Sequence, residues 1–348
     1  MTLPWLRIIG ATLAVAGLAA LLLRRRSMLG RGEALALLAL LALLAVALAP
    51  ALVDGLARMT GFTGELARIT SLLSFVALAL FLAVLVLADR VSMLRQELDA
   101  QVAESLVDRA LADLPENMRG PVELLLVMPA YDEAINLRAL LPGRPTEILG
   151  RTAHLIVVDD GSTDDTAAVV RAHGGWAIRS PRNRGGGFAL KVGFAAAQRL
   201  GAREVITLDA DGQHRFADLP AVLSPLILGA ADLVVGSRRL GASVGGSRLR
   251  SLGVRVFSAL LSFLTGQKIT DCASGLRGIA IARLAALRLR QDRHHTAELI
   301  LEAARRGLTI VEVPITIVPR HQGESKKGTS VAYALRFTLT ILSAWWRR

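Results

Sequence analysis

Two runs of 20 residues, Ala34–Val53 and Ile69–Ala88, contain no charged side chain. They divide the chain into a part suited to lipid and a part suited to water. About 20 consecutive apolar residues in helical form match a hydrocarbon core of about 30 Å. A third, weaker stretch, Ile8–Leu23, follows Arg7. Read as a signal peptide it fails, because Arg24-Arg25-Arg26 stands where a small-residue cleavage site belongs. Residues 1–90 are therefore expected to form a transmembrane domain of about three helices.

Loop charge sets the expected orientation. The first loop carries Arg24, Arg25, Arg26 and Arg31; in the second, Arg58 and Arg68 are offset by Asp54 and Glu65. The excess of arginine places the first loop in the cytoplasm. The amino terminus and the 54–68 loop then lie outside, and everything after Ala88 is cytoplasmic, in a multi-pass protein of the inner (plasma) membrane.

Composition narrows the partners. With 41 Lys+Arg against 29 Asp+Glu, the 348-residue chain has a net charge of +12, and its mean hydropathy is +0.47. A basic excess in so apolar a chain suits anionic membrane surfaces or phosphorylated substrates. Aromatic residues make up only 4%, too few for stacking on single-stranded bases, so nucleic acid is not an expected partner. The single cysteine, Cys272, excludes an intrachain disulfide and any multi-cysteine metal site, and reads as a small packing residue.

Past the apolar runs, Val91, Leu94, Leu98, Val102, Leu106 and Val107 recur at helical spacing among charged residues. They predict a linking helix over 89–114, within a juxtamembrane segment at 91–120, ended by Pro115. Beyond Pro121 short apolar runs alternate with helical stretches. Val122–Met128, His154–Val158, Glu204–Leu208, Leu233–Val235 and Thr309–Val318 read as strands. Glu133–Leu141, Thr163–Ala172, Gly187–Leu200 and Ala217–Leu228 read as helices. The alternation predicts a parallel sheet with helices on both faces over 121–330. In that architecture ligands sit off the carboxyl ends of the strands.

Those strand ends are polar. They read Pro129-Ala130-Tyr131-Asp132-Glu133, Asp159-Asp160-Gly161-Ser162-Thr163-Asp164, Asp209-Ala210-Asp211-Gly212-Gln213 and Gly236-Ser237-Arg238. Singly, Ser162, Thr163 and Asp164 read as helix-capping residues. Asp209 and Asp211, one residue apart at a strand end, can both face a hard divalent cation, with Gln213 adding a carbonyl oxygen. An isolated pair of this kind is more often an acidic turn, and no further ligands follow at EF-hand spacing. Lys191 lacks the spacing of a Walker A lysine.

Taken in order, MPAYDEAINL, VVDDGSTDD, NRGGGFALKVG, LDADGQH, VVGSR, TDCASGLRG, AELILEAARRG and EVPITIVPRHQGESK resemble family 2 glycosyltransferases of the GT-A fold. Within them the set is most similar to the polyprenyl-phosphate (dolichyl-phosphate) mannosyl- and glucosyltransferase branch. The resemblance runs from Val122 to about Lys327, while residues from Arg24 to about Glu104 resemble a small bacterial membrane module. It implies an α/β, Rossmann-like nucleotide-diphospho-sugar transferase domain behind an α-helical transmembrane domain.

By the same resemblance Pro129, Tyr131, Glu133, Val158 and Asp160 hold the nucleotide, and Asp209, Ala210, Asp211 and Gln213 form the site for Mg²⁺ or Mn²⁺ and the diphosphate. Arg238, Arg320 and Lys326 grip phosphates, with Asp211 counted among the catalytic group. Ser274 and Arg277 lie near the acceptor phosphate. The implied activity transfers a sugar from a nucleotide diphosphate sugar to a polyprenyl phosphate such as undecaprenyl phosphate, with inversion, at the cytoplasmic face. GDP-mannose, UDP-glucose and UDP-N-acetylglucosamine all remain compatible donors, and a homo-oligomer is compatible as well.

Arg184 with the glycines Gly185, Gly186 and Gly187 departs from relatives that carry lysine between glycines, and His294-His295, without a counterpart, reads as surface or loop. Arg255 and Phe263, with their neighbours, and the 331–348 tail ending in Trp345-Trp346 read as interfacial helices. The rival readings are a transferase with a saccharide acceptor in polysaccharide synthesis, and an inactive membrane scaffold. The QxxRW string of processive synthases does not occur.

Overall fold

The computed structural model describes residues 65–243, 248–284, 287, 289, 295–320, 338 and 341. The stretches Ile8–Leu23 and Ala34–Val53, Lys326, His294 and most of the 331–348 tail lie outside them. The chain divides into two compact units, residues 1–98 and 99–348.

In the first unit, Ile69–Ala88 is helical throughout, as part of α1 (Glu65–Ala110, 46 residues). The expected linking helix is the later part of the same α1, which stops short of Pro115 at a 3₁₀ turn, Leu111–Asp113. Among the described residues no helix is long and apolar enough to cross a membrane. Ala103 and Val107, near the end of α1, belong to the second unit and are buried in its core.

The second unit is built on strands β1 (Leu124–Ala130), β2 (Glu147–Ile148), β3 (Arg151–Asp159), β4 (Trp176–Arg179), β5 (Glu204–Thr207), β6 (Leu233–Ser243), β7 (Arg277–Ala280) and β8 (Ile310–Ile317). The order is β2-β3-β1-β5-β7-β6-β8, with β4 also paired to β3. Helices α2 (Ala134–Leu140), α3 (Thr166–Ala172), α4 (Gly186–Arg199), α5 (Leu219–Ile227), α6 (Arg248–Thr265), α7 (Ile281–Leu284) and α8 (His295–Arg305) follow in the chain.

The central run Leu124–Met128 is fully buried because both faces of the sheet are covered. Alternate residues serve opposite cores, as the two-residue period of a strand requires. Leu125, Val127, Ile156 and Val158 pack on one side with Phe188 of α4 and Ile300 of α8. Leu124, Leu126, Met128 and Val157 pack on the other with Leu137 of α2 and Leu223 of α5. Helix α4 lies so close to β1 that a Cβ at Gly193 would stand 2.3 Å from a Val127 methyl.

The expectation of a parallel sheet needs two corrections, the first being that the short edge strand β2 pairs antiparallel with β3. β1 with β3 and β5, β3 with β4, and β6 with β8 are parallel, but β7 runs antiparallel between β5 and β6. β2, β4 and β7 are not among the strands expected from sequence: they have two to four residues, and β4 and β7 contain arginine and tryptophan or glycine in place of the Val/Ile/Leu-rich run that marks the equally short β5. The carboxyl ends of β1, β3, β5 and β6 nonetheless share one edge, and their following loops form a rim.

Candidate active site

The first two acidic loops are zipped together. Asp132 adopts φ 52°; its amide donates to Ser162 Oγ at 2.9 Å, and its Oδ1 accepts from the Thr163 amide at 2.7 Å. The Glu133 amide donates to Thr166 Oγ1 at 3.1 Å, and the Ala134 amide to Asp164 Oδ2 at 3.0 Å. Asp164 is therefore a capping residue, yet the donor it satisfies across the loops is the first amide of α2, 30 residues earlier in the chain. The hydrogen bonds of Thr166 and the Ala134 amide hold its carboxyl below the usual range, against burial that acts the other way.

Pro129 and Val158 are strand partners. Val158 and Ala210 turn their side chains into the core, so any contribution to a ligand comes from their backbone. Tyr131 is half-buried at the rim. Asp160 faces inward: Oδ1 accepts from the Arg184 amide at 2.9 Å and Oδ2 from the Gly185 amide at 2.6 Å. Burial pushes its carboxyl up to about 6, with the two amides pulling the other way. Asp160 thus fixes the glycine turn before α4, where Arg184 also pairs with Asp99 at 2.6 Å and lies over the Phe188 ring. His295 is not a loop residue; it starts α8, and a Cβ at Gly186 would stand 3.7 Å from its ring.

At the end of β5, Asp209 and Asp211 are half-buried and Ala210 is buried between them. Asp211 Oδ1 accepts from the Gln213 amide at 3.1 Å. The neighbouring segment presses directly on Asp209, since a Cβ at Gly275 would fall 2.6 Å from its Oδ1. Thr207 Oγ1 donates to the Gly275 carbonyl at 2.9 Å and holds that approach. Among the described residues no three His, Cys, Asp or Glu side chains converge as a ready metal cluster. Two carboxylates and an amide oxygen still fit a hard cation that takes its other ligands from water and phosphate.

Arg238, just beyond the buried part of β6, is a firmly held cation at the rim. Its Nε and Nη2 donate to the two oxygens of Asp271 at 2.6 and 2.9 Å, in a planar fork. Burial works to raise the Asp271 carboxyl, but Arg238 and the amides of Arg238 and Ala273 outweigh it and hold it below its ordinary value. Arg238 also lies within electrostatic reach of Asp209. Arg320 donates to Glu133, so a residue after β8 closes onto the loop after β1 across 187 positions of chain. Beneath it, Val318 N donates to the Gln213 carbonyl at 3.0 Å, and His214 bridges to Ile317.

The family resemblance implies a place near the acceptor phosphate for Ser274 and Arg277. Ser274 is buried beside Gly275. Arg277 is buried too, and its guanidinium donates to the carbonyls of Cys272, Ser274 and Thr296. Burial pulls its pKa down to about 10, so it remains charged at neutral pH. Its place is beneath the rim, where it ties the 272–274 segment to the first turn of α8. Cys272 is fully buried, and burial pushes its thiol up to about 11, which keeps it protonated and inert. The residues that sequence reasoning missed are Asp271 and His214; the first sits in TDCASGLRG and the second in LDADGQH, so a local signal existed for both.

A double-covered α/β sheet with paired carboxylates at a central strand end, and fixed arginines around them, defines a GT-A-type transferase of nucleotide sugars. Residues 125–284 match the family model described as glycosyl transferase family 2. The chain is 30% identical over 237 residues to the polyprenol monophosphomannose synthase of Mycolicibacterium smegmatis, spanning 64% of this chain and 87% of that one. It is 29% identical over 243 residues to the UDP-N-acetylglucosamine–dolichyl-phosphate N-acetylglucosaminyltransferase of Methanococcus voltae, spanning 63% and 94%. The fold is shared with glucosyl-3-phosphoglycerate synthase from Mycobacterium tuberculosis, solved in complex with Mn²⁺, UDP and glucosyl-3-phosphoglycerate, at a TM-score of 0.54 and 22% identity over 67% of this chain and 83% of that one. This chain belongs to glycosyl transferase family 2, and it is a glycosyltransferase.

Proposed function

We propose that this enzyme transfers one sugar from a nucleotide diphosphate sugar to a polyprenyl phosphate at the cytoplasmic face of the membrane. The observation that carries the reading is Arg238, locked by Asp271 within electrostatic reach of Asp209, on the rim that Arg320 closes from the far side. A fixed guanidinium beside paired carboxylates suits a substrate with several phosphate oxygens. Of the two relatives, one is named for a polyprenol monophosphomannose product and the other for a dolichyl-phosphate acceptor; both support the lipid acceptor, and their different sugars leave the donor open.

Asp209, Asp211 and Gln213 would hold Mg²⁺ or Mn²⁺, which when bound neutralises charge on the leaving diphosphate; the Mn²⁺ and UDP of the mycobacterial synthase support that choice. Pro129, Tyr131 and Glu133 border the nucleotide. A lipid phosphate oxygen forms the new bond to the anomeric carbon as the bond to the diphosphate breaks, with inversion of configuration. Such an acceptor is already anionic at neutral pH and needs little help from a general base. Arg238 and Arg320, with Lys326 beyond the described residues, hold the departing charge.

Residues 1–90 anchor the enzyme in the inner membrane. The uncharged run within α1, whose Leu73, Leu80 and Leu87 side chains stand exposed, supports this. α6 supplies a second surface: Leu252, Val256 and Phe263 are exposed beside Arg255 while Leu261 packs inward, an arrangement suited to a headgroup layer. In the tail, Ile341 is fully buried in the core, so that part of the tail faces protein. The deciding experiment incubates purified enzyme with a panel of nucleotide sugars and undecaprenyl phosphate, reading products by mass spectrometry. Glycosyl-phospholipid from at least one donor is expected; turnover only with saccharide acceptors would overturn the lipid reading.

A further inference from the structure

Glu312 lies in β8, in the otherwise uncharged stretch Ile310–Ile317. In the parallel register of β8 with β6 it stands opposite Val235, three residues before Arg238. Among the described residues its carboxylate is bonded to backbone amides and not to a cation on the rim. Oε1 and Oε2 accept from the Thr270 amide at 2.9 and 2.8 Å, and Oε1 accepts from the Asp271 amide at 3.0 Å. The peptide it holds therefore carries the carboxylate that holds Arg238. Asp271 in turn is saturated: it accepts the fork of Arg238, the Arg238 amide at 3.1 Å and the Ala273 amide at 3.2 Å. Ser237, next to Arg238, shares a 2.6 Å hydroxyl bond with Thr270.

We infer that Glu312 is a positioning residue for the transfer reaction, setting the direction of the Arg238 guanidinium through the Thr270–Asp271 peptide and the Asp271 carboxylate. The inference rests on the reading of Arg238 as a phosphate-gripping cation. The chemistry supports a relay over simple loop packing. A carboxylate bonded to two consecutive amides fixes both the position and the tilt of the peptide between them, and a bidentate pair transmits tilt as well as position. Arg238 has no other acid within bonding distance among the described residues, so its aim depends on Asp271. Orientation at this level is costly to lose, since a displacement of about 1 Å at a reacting group reduces turnover by up to about 10²-fold. The phosphate that Arg238 meets belongs either to the donor diphosphate or to the lipid acceptor, and kinetics separate the two.

The test is a double-mutant cycle on full-length enzyme in lipid nanodiscs, using Glu312→Gln, Arg238→Ala and the pair. Turnover, KM for donor, KM for undecaprenyl phosphate and Tm are measured for each. Glu312→Gln is expected to lower kcat about 10-fold, and to add nothing once Arg238 is already alanine, because only the aim of a missing group has been lost. A kcat effect shared with leaving-diphosphate stabilisation, without a rise in lipid KM, places Arg238 on the donor; a raised lipid KM places it on the acceptor. Glu312→Asp keeps the charge and is expected to recover part of kcat; it also serves if Glu312→Gln unfolds near the assay temperature. Independent, multiplying losses in the double variant, or a lowered Tm with unchanged kcat, would overturn the inference and leave the reading of Arg238 standing. Unchanged turnover in Arg238→Ala would instead remove that reading, and this inference with it.

Discussion

At the scale of single residues, Asp211 and Asp160 are two carboxylates with different duties. Asp211 lies at the rim, where its Oδ1 accepts from the Gln213 amide of its own turn, and a single carboxylate cannot replace a paired site for a hard cation. Asp211→Ala is expected to lower metal-dependent turnover by at least 10²–10³, the loss of about 3–4 kcal/mol that follows removal of one charge-stabilising group; steady-state rates across a Mn²⁺ titration check it. Asp160 instead holds the turn before α4, and burial pushes its carboxyl up from the ordinary 3.8 to about 6. Between those two values the folded state keeps a proton that the unfolded chain has released. Stability contributed by this group therefore falls as pH rises from about 4 to about 6, and its cost is fully present above that window. Asp160→Asn removes this slope, so the variant is expected to lose less Tm than wild type between pH 4 and 6 when both are scanned by calorimetry.

At the scale of elements, the segment after β8 is the part of the site most dependent on tertiary pairing. It leaves the sheet pinned to the turn after β5, through Val318 and the His214 bridge, and then brings Arg320 onto Glu133. Gln213, a candidate ligand, thus also anchors the root of this segment, with its side-chain amide 3.4 Å from the Val318 carbonyl. In the proposed reaction a segment held this way would position reactants and exclude water by closing over the site. Arg320→Ala and Lys326→Ala are each expected to lower kcat by about 10² at saturating donor and lipid, while co-sedimentation with vesicles is unchanged. Near-wild-type kcat in both, with weaker vesicle binding, would make the segment a basic membrane contact instead.

At the scale of the whole molecule, the proposal joins a lipid-embedded part to a sheet whose ligand rim must reach a lipid phosphate. The orientation proposed from loop charge puts Arg24, Arg25, Arg26 and Arg31 inside and the 54–68 loop outside. A Thr60→Cys variant is expected to react with membrane-impermeant maleimide in intact cells, whereas a reporter fused after Arg348 stays cytoplasmic. The experiment has a clean background, since the only native thiol, Cys272, is fully buried. Protection of Thr60→Cys from outside would reduce the number of spanning helices or invert them, and would leave the transferase assignment intact.

Much of this was legible in the chain itself. Strands β1, β3, β5, β6 and β8 announce themselves through short apolar runs, and the acidic or basic residues after them through the polar breaks that follow, because both are local patterns set by strand length and burial. The ordered motifs then gave the family. Other features have no local signature. The antiparallel run of β7 follows from how a four-residue strand fits between β5 and β6. The capping of α2 by Asp164 and the fork between Arg238 and Asp271 join residues 30 and 33 positions apart. The burial of Arg277 follows from carbonyls supplied by separate segments. Spacing along a chain encodes only what neighbours within a few residues can do to one another. Which cation meets which carboxylate depends on how sheet and helices pack, and that was decided by the tertiary structure alone.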